Sequence, residues 1–370
     1  MSKISRRKVI QTGLGLLGIA ASSRFVNVYA QTRTYTLRLA NYFPAPAAQS
    51  KLLDQFAADI QRLTEGRVRI ETYHGGTLLG PAAIYDGVVQ GVAQLGFTNL
   101  AYNFGRFLET EILDLPLGFP NAWVATHVAH EFYERYRPKE WNDTVVLTFH
   151  TSPVNEIFTA QKPVRRLEDL RGLTLRGTGW VGRFVEALGA TPRPIPMPEA
   201  YDNVSKRVID GLMIPYETLL TFRLGEVIRY VTEVWQVGQV YTFYLVANRQ
   251  AWNGLPQELR QVIADYVKNE FVEKLANMWN EIDVDGYRYA LKDSKIEVMQ
   301  LSPEELRRLS QVANRVIQDY TRNLAAKGVS EAEVQARLSF IRSRIAYWLK
   351  EQERRGIKSS TGPTSVRIQL

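Results

Sequence analysis

Side chains that could carry out catalysis or bind a metal ion are few in this chain. It has no cysteine, which excludes disulfides, cysteine-bound zinc and thiol nucleophiles. Its four histidines are His74, His127, His130 and His150. His127 and His130 stand three apart on a predicted helix, which suits two metal ligands, but no H-E-x-x-H pattern surrounds them. We therefore predict two polar residues on a helix face, no metal site and no catalytic set.

Two glycine-rich segments could in principle bind phosphate groups. Residues 75–80 precede a predicted helix but lack the G-K-[ST] ending of a phosphate loop. Gly177, Gly179 and Gly182 have the G-x-G-x-x-G spacing of a dinucleotide site. No acidic residue follows at the distance, about twenty residues, at which one would bind a ribose. The sequence therefore predicts no nucleotide and no other cofactor.

Arg176 is the remaining candidate for ligand chemistry. It ends a predicted strand, residues 173–176, with glycines directly after it and a predicted helix beyond them. Ligands of open α/β sheets bind beyond the carboxyl ends of strands. A guanidinium there offers two parallel donors that match a carboxylate. Taken alone, a strand-end arginine is more often part of a surface ion pair, so both interpretations stay open at this point.

The elements around these residues alternate between strands and amphipathic helices. Strands predicted at 35–39, 68–72 and 95–98, with helices between them, imply a parallel sheet covered on both faces. A second α/β unit follows, and an apolar strand is predicted at 240–247. Residues 256–291 are predicted to form one long helix, or two with a kink near 283–286. Two C-terminal helices come next, and the polar tail, residues 356–370, is predicted to be disordered.

The first thirty residues have the composition of an export signal. Paired arginines, Arg6 and Arg7, precede a weakly hydrophobic stretch that is too short and too polar to span a bilayer permanently. Small residues up to Ala30 provide a cleavage site. Paired arginines before a soft apolar stretch favour the twin-arginine route. We therefore predict a signal peptide at residues 1–30 and a periplasmic, or otherwise extracytoplasmic, mature protein.

The signal also accounts for most of the excess positive charge. The chain has 46 basic and 38 acidic residues, a net charge of +8. Five of the basic and none of the acidic residues lie in residues 1–30, which leaves the remainder near +3. No dense stripe of lysine and arginine remains, so we predict no nucleic-acid partner. No later segment has 18 uninterrupted apolar residues, which predicts a soluble mature protein.

Several ordered blocks of the sequence resemble one family. LEDLRGLTLR at 167–176 resembles the L-x-D-L-K-G-L-K-[IL]-R segment of TRAP transporter solute-binding proteins, the DctP family. LGATP at 188–192, PMPEAY at 196–201 and VIDG at 208–211 are similar, in order, to further blocks of that family. GGTL at 75–78 and GVAQLG at 91–96 fit two earlier elements. The resemblance extends over roughly residues 35–323.

The resemblance implies an α/β, two-lobed periplasmic-binding-protein fold, type II-like, with a long helix bridging both lobes. The expected first lobe is 33–152, completed by about 240–275. The expected second lobe is 153–239, completed by the C-terminal helices, about 276–352. By the same resemblance, Arg176 pairs with the carboxylate of a small organic acid, and the closed form delivers the acid to the TRAP membrane permease subunits. The family binds solutes, so no enzyme activity is expected.

Two positions depart from the family pattern. Ile214 stands where the family often has an asparagine that contacts the ligand carboxylate. Recognition would then depend more on Arg176 and on neighbours such as Tyr216 or Glu217. Glu156 stands about where members that bind sialic acid place a second arginine. It either faces the cleft, where it would favour a ligand with an amine or hydroxyl groups, or faces solvent.

Trp180, just beyond Arg176, is the aromatic residue predicted to line the ligand. Strand-end polar residues of the first lobe are predicted to supply hydrogen bonds. The predicted ligand-binding residues are Arg176, Trp180, Glu156, Tyr216, Glu217, Asn41, Thr98, Asn99 and Tyr102.

Alternatives remain open at this level. An exported enzyme with the same two-lobed fold, or a chemosensory protein that binds the same ligand, would have a similar sequence pattern. Keto, hydroxy, aromatic and amino acids are all compatible ligands, with or without a bridging cation. A homodimer is possible.

Overall fold

The computed structural model of this protein describes residues 33–369. The predicted signal peptide, residues 1–30, lies outside the described residues. Residues from Thr34 onward form one compact unit. Within the described range, no helix combines the length and the apolar character needed to cross a bilayer.

The first sheet has five strands, in the spatial order β2-β1-β3-β10-β4. Strands β1, β2 and β3 are parallel, as the alternation of strands and helices predicts, whereas β10 runs antiparallel to both β3 and β4. The sheet is therefore mixed, because the chain returns to it from the second sheet at β10. Its strands are β1 Tyr35–Asn41, β2 Val68–Tyr73, β3 Leu95–Asn99, β4 Thr144–Thr151 and β10 Thr242–Asn248.

The second sheet has six strands, in the order β11-β9-β5-β8-β6-β7. It is also mixed, since β5 is antiparallel to β8 and β9 while β6 is parallel to β7 and β8. The chain thus crosses between the sheets after β4, after β9 and before β11. The strands are β5 Glu156–Thr159, β6 Thr174–Arg176, β7 Thr191–Arg193, β8 Gly211–Ile214, β9 Tyr230–Glu233 and β11 Glu297–Gln300.

Helices cover both sheets, and the longer ones bury an apolar face. In α1, Leu53, Phe56 and Ile60 recur at helical spacing and are fully buried. Side chains at the amino ends cap several helices, as Asn121 does for α3. The helices are α1 Ala48–Leu63, α2 Ile84–Val89, α3 Ala122–Tyr136, α4 Gly179–Ala187, α5 Ala200–Ser205, α6 Thr218–Thr221, α7 Arg249–Asn253, α8 Gln257–Tyr266, α9 Val272–Arg288, α10 Pro303–Ala326 and α11 Glu331–Arg355.

The long helix predicted for residues 256–291 is present and contacts both sheets. Helices α8 and α9 are joined by the π-helical turn Val267–Phe271, and a second such turn, Tyr289–Asp293, ends the run. The irregularities of the long helix are therefore at 267–271 and 289–293. Helix α9 is regular across 283–286, where the sequence suggested a kink. Trp279 of α9 donates to His150 of β4 (2.9 Å), and Asp283 accepts from the backbone N–H of Glu217, just after β8 (3.0 Å).

The predicted disorder of the tail, residues 356–370, is wrong for its described part. Ser359 and Thr361 are fully buried, and the Thr361 hydroxyl donates to the carbonyl of Pro120 (2.8 Å). Ser360 donates to Asp283 of α9, and Arg367 pairs with Glu233 of β9. The tail's hydroxyl groups suggested solvation, but here they satisfy polar groups of other segments that would otherwise be buried without a partner.

Candidate functional site

Arg176 lies at the carboxyl end of β6 with only 1% of its surface exposed. Its Nε donates to the carbonyl of Ile195 (2.9 Å), and its Nη1 donates to the hydroxyl of Tyr241 (2.9 Å). The guanidinium carbon also lies 5.2 Å from the centre of the Tyr241 ring. Throughout residues 33–369, no carboxylate forms an ion pair with Arg176. The surface-ion-pair interpretation is therefore wrong: this is a buried guanidinium without a protein counter-ion.

Arg176 lines a small, partly open cavity between the two sheets. Strand ends and loops of both sheets line it, and α9 contributes Trp279. The aromatic lining residues are Tyr42, Phe43, Phe222, Tyr241, Phe243 and Trp279. The polar ones are Asn99, Ser152, Arg176, Glu217 and Thr218, and Met197, Ile214 and Pro215 complete the wall. The cavity is thus mainly apolar, with a few converging polar groups, which is the usual composition of a small-molecule site.

Neutral hydrogen-bonding groups surround the guanidinium on the first-sheet side. Asn99 Nδ2 donates to the Tyr42 hydroxyl (3.3 Å), and the Tyr102 hydroxyl accepts from the backbone N–H of Met197 (3.1 Å). Burial raises the pKa of Tyr42 and Tyr102, and the nearby charge of Arg176 only partly opposes this effect. Both phenols are therefore uncharged at neutral pH and leave the charge of Arg176 uncompensated.

Glu217 is the acidic side chain of the cavity lining and is 3% exposed. Its Oε2 accepts from the Thr221 hydroxyl (2.5 Å) and from Gln49 Nε2 (3.4 Å). Burial raises the pKa of Glu217 to about 8, although these hydrogen bonds oppose the rise. No lysine, arginine or histidine of the described chain forms an ion pair with it.

Three predicted site residues line the cavity: Arg176, Asn99 and Glu217. Tyr102 is outside the lining but packs edge-on against the lining residue Tyr42, with ring centres 5.4 Å apart. Ile214, one of the two positions that depart from the family pattern, also lies in the wall. The structure therefore brings together residues from β3, β6 and the segment after β8, as expected for strand ends that meet at one cleft.

Three other predicted residues are buried nearby but outside the lining. Asn41 Nδ2 donates to the Ser50 hydroxyl (2.9 Å), and Thr98 donates to the carbonyl of Pro81 (3.2 Å). The Tyr216 hydroxyl donates to Glu233 (3.2 Å) and not toward the cavity. Asn41 and Thr98 do lie at strand ends, as predicted, but alternate residues of an extended chain point to opposite sides.

Glu156 neither lines the cleft nor faces solvent, so neither of the two expected positions is correct. It is fully buried, and its carboxylate accepts a hydrogen bond from the backbone N–H of Val234. Burial and the neighbouring charge of Glu233 raise its pKa. The positive charge of Arg367, in the C-terminal tail, partly opposes this rise in the pKa of Glu156.

Trp180 is likewise not a lining residue. It is 6% exposed, its Nε1 donates to Glu111 Oε2 (3.0 Å), and its ring packs edge-on against Tyr320 of α10. Helix α4 begins at Gly179, and its first turn directs the indole toward α10 and away from Arg176. Trp180 therefore joins α4 to neighbouring segments.

Replacing Trp180 by phenylalanine should leave ligand affinity within about threefold while lowering the free energy of unfolding by about 1 kcal/mol, because Glu111 loses a hydrogen-bond donor in a buried setting. Denaturant unfolding and titration calorimetry on the same variant measure both quantities. A loss of affinity above tenfold with unchanged stability would contradict this assignment.

The lining residues that sequence reasoning missed come mostly from elements with no polar signal. Tyr241 precedes an apolar strand, and Trp279 sits on the long helix among helix formers. Phe43 lies two residues beyond the end of β1. The pairing of Arg176 with Tyr241 joins segments 65 residues apart, and no local pattern reports such a contact.

The histidines of α3 have separate partners. His127 stacks on Trp348 of α11 with ring centres 3.9 Å apart, and His130 Nδ1 lies 3.2 Å from the Thr148 hydroxyl. Across the described residues, no group of three or more histidine, aspartate or glutamate side chains could hold a metal ion.

Two sheets joined by crossing segments and a long helix, with a ligand-sized cleft lined by both of them, are the architecture of a two-lobed solute-binding protein. The chain matches the sequence model of the bacterial extracellular solute-binding proteins, family 7 (DctP), over residues 39–323. It belongs to that family. Since the family consists of solute-binding proteins, the expectation of a binding protein and not an enzyme is confirmed, as is the predicted α/β fold class.

Solved structures and a curated relative agree with this membership. A TRAP periplasmic solute-binding protein from Desulfovibrio salexigens is 32% identical, with 83% of this chain and 95% of that chain covered and a TM-score of 0.72. It was crystallised as an open complex with the C-terminus of a symmetry mate in its ligand-binding site. A protein of the same class from Bordetella bronchiseptica, with bound mandelate, is 26% identical, with 85% and 99% covered and a TM-score of 0.78. The C4-dicarboxylate-binding periplasmic protein DctP of Rhodobacter capsulatus is 23% identical over 324 residues, 85% of this chain and 95% of that protein.

Buried acids should make the free energy of unfolding fall as pH rises. Burial raises the pKa of Asp114 and Glu217 to about 8 and of Asp283 to about 7, so these groups hold protons in the folded state that they lose when unfolded. Their stabilisation is complete below about pH 4 and is lost as pH rises through 7–8. The depressed pKa values of His150 and His130 oppose this trend only below about pH 6.5.

Between pH 6.5 and 8.5 we therefore expect a loss of more than about 2 kcal/mol. Chemical unfolding at the two pH values measures it, and Asp114→Asn should make the loss smaller. Equal stability at both pH values would contradict the assigned burial of these carboxyl groups.

Proposed function

We propose that this protein captures a small monocarboxylate between its two lobes, with Arg176 as the carboxylate anchor, and delivers it to TRAP membrane permease subunits. The observation that carries the proposal is the buried guanidinium of Arg176, which has neutral neighbours and no acidic partner in residues 33–369. A buried charge is costly unless it is paired. A ligand carboxylate would supply the missing counter-ion, and Nε and Nη1 are already held in place by Ile195 and Tyr241.

The cavity walls favour an acid with an aromatic or other apolar body. Phe43, Phe243 and Trp279 pack against one another with ring centres 5.1 to 5.8 Å apart and form one wall. Aromatic walls of this kind bury flat apolar groups well. The mandelate bound to the Bordetella bronchiseptica protein, an aromatic acid, is consistent with this ligand class.

Export and assembly form the second part of the proposal. The twin-arginine signal of residues 1–30 would place the mature protein in the periplasm, and lobe closure around the ligand would create the form that binds the permease. The assignment of strands to the two sheets supports the proposed lobes, because β10 belongs to the first sheet and β11 to the second. A homodimer remains a prediction from the sequence.

A thermal-shift screen of the mature protein tests the ligand class. Aromatic, hydroxy, keto and dicarboxylic acids would each be paired with the corresponding methyl ester. A ligand that binds the folded state raises the unfolding midpoint. We expect aromatic monocarboxylates to raise it and their esters to leave it unchanged. If esters shift the midpoint as much as acids, or no acid shifts it, the proposal is overturned.

A further inference from the structure

The ligand cavity has two polar positions with opposite chemical character. Arg176 reaches it from the end of β6, and Glu217 reaches it from the segment between β8 and α6. Both side chains are buried, and neither forms an ion pair with another residue of the described chain. Arg176 suits a ligand carboxylate, whereas Glu217 would bind a different group of the same ligand.

The hydrogen bonds of Glu217 leave one carboxyl oxygen without a protein partner. The Thr221 hydroxyl and Gln49 Nε2 both donate to Oε2 (2.5 and 3.4 Å). Oε1 accepts no hydrogen bond from residues 33–369. Because Glu217 lines the cavity, this oxygen is available to a bound molecule.

The surroundings of Glu217 favour its uncharged form. Asp283 of α9 accepts from its backbone N–H (3.0 Å), so the adjacent titratable group is another acid. Tyr42 contributes a neutral phenol, and Arg176 belongs to the same cavity without pairing with Glu217. An ionised carboxylate in this setting would be buried without a cation, which is costly. Burial accordingly raises the pKa of Glu217 to about 8. With two donors on Oε2, the acid proton belongs on Oε1.

We propose that Glu217, as a neutral carboxylic acid, hydrogen-bonds a hydroxyl group of the same ligand whose carboxylate Arg176 binds. The inference rests on the proposed function and narrows the ligand to hydroxylated monocarboxylates. A second carboxylate on the ligand would approach Glu217 and Asp283, two acids without a cation between them, and is therefore disfavoured. An ammonium group would require Glu217 to ionise.

Titration calorimetry with benzoate, 3-hydroxybenzoate, 4-hydroxybenzoate, 3-(aminomethyl)benzoate and isophthalate tests this assignment. On the wild type, the better hydroxybenzoate should bind about tenfold more tightly than benzoate, as one hydrogen bond in a buried site predicts. Isophthalate should bind more weakly than benzoate. The ratio of hydroxybenzoate to benzoate affinity should persist in Glu217→Gln, whose amide can donate and accept, and fall to near one in Glu217→Leu.

Glu226→Gln provides the matched control, since Glu226 is a solvent-exposed acid of the same segment that pairs with Arg223. Unfolding midpoints without ligand check that each variant folds. If the hydroxyl preference survives in Glu217→Leu, or if 3-(aminomethyl)benzoate binds best and Glu217→Gln abolishes that binding, the inference is overturned. Those results leave carboxylate binding through Arg176 intact. Failure of all five compounds to bind the wild type would overturn both.

Discussion

Replacing Arg176 by alanine lowers the affinity for the carboxylate ligand by about 100-fold or more. The guanidinium is buried and held by Ile195 and Tyr241, so a bound carboxylate would meet a fixed positive charge in a buried site. Truncating one partner of such a buried, hydrogen-bonded charge pair costs roughly 2–5 kcal/mol, and each 1.4 kcal/mol is a factor of about ten in affinity. Titration calorimetry with the best acid from the ligand screen measures the change.

The matched control for Arg176 is Arg193→Ala. Arg193 lies beside Arg176 in the register of β6 and β7 but is exposed. Its removal changes the net charge equally and should alter affinity less than about threefold. Arg176→Met, which keeps the aliphatic part of the side chain, separates loss of charge from loss of packing. Affinity retained in Arg176→Met would mean that the cavity recognises its ligand by shape alone.

Replacing Arg367 by methionine lowers the free energy of unfolding by roughly 3 kcal/mol. Arg367 pairs with Glu233, whose side chain is 1% exposed, and its Nη2 donates to the Tyr287 hydroxyl (2.8 Å). Glu156 and Asp283 are buried close by, so the tail brings a cation into a group of acids. Without Arg367, the carboxylate of Glu233 is buried with no cation beside it. Removing one partner of a buried ion pair is strongly destabilising, because it leaves an uncompensated charge.

Chemical unfolding of Arg367→Met and of the control Arg354→Met measures this effect. Arg354 forms an exposed pair with Glu351 one turn away, and such pairs contribute at most about 1 kcal/mol. The double variant Arg367→Met/Glu233→Gln should recover part of the loss, since the remaining side chain is neutral. If Arg367→Met is as stable as Arg354→Met, the tail does not stabilise the fold through this pair.

The elements predicted best from the sequence are those with strong local periodicity. The strands around Leu37, Val145 and Leu212 and the long helix through Trp279 all lie close to their expected positions. The C-terminal tail was misjudged because its composition resembles that of disordered segments. Its order depends on distant partners, Pro120, Asp283 and Glu233, that only the fold brings near.

The sequence predicted the position of Arg176 in the site but only some of the residues that line the cavity around it. A strand-end arginine can be located from the pattern of a strand followed by glycines, and the structure buries it against a cavity. Which way Trp180 points depends on where α4 begins, and a shift of one residue turns a helical side chain by about 100°. Tyr241 and Phe243 enter the cavity from β10 and the residues just before it, because that strand returns to the first sheet. This long-range pairing has no local signature.

Whether the charge of Arg176 recognises the ligand's carboxylate can be measured with a thermodynamic cycle on ligand and protein. The best-binding acid and its primary amide, which has nearly the same shape without the charge, are titrated against the wild type and Arg176→Ala. We expect the wild type to prefer the acid by about 100-fold or more and this preference to fall below about threefold in the variant. An equal preference for the acid in both proteins would contradict this expectation.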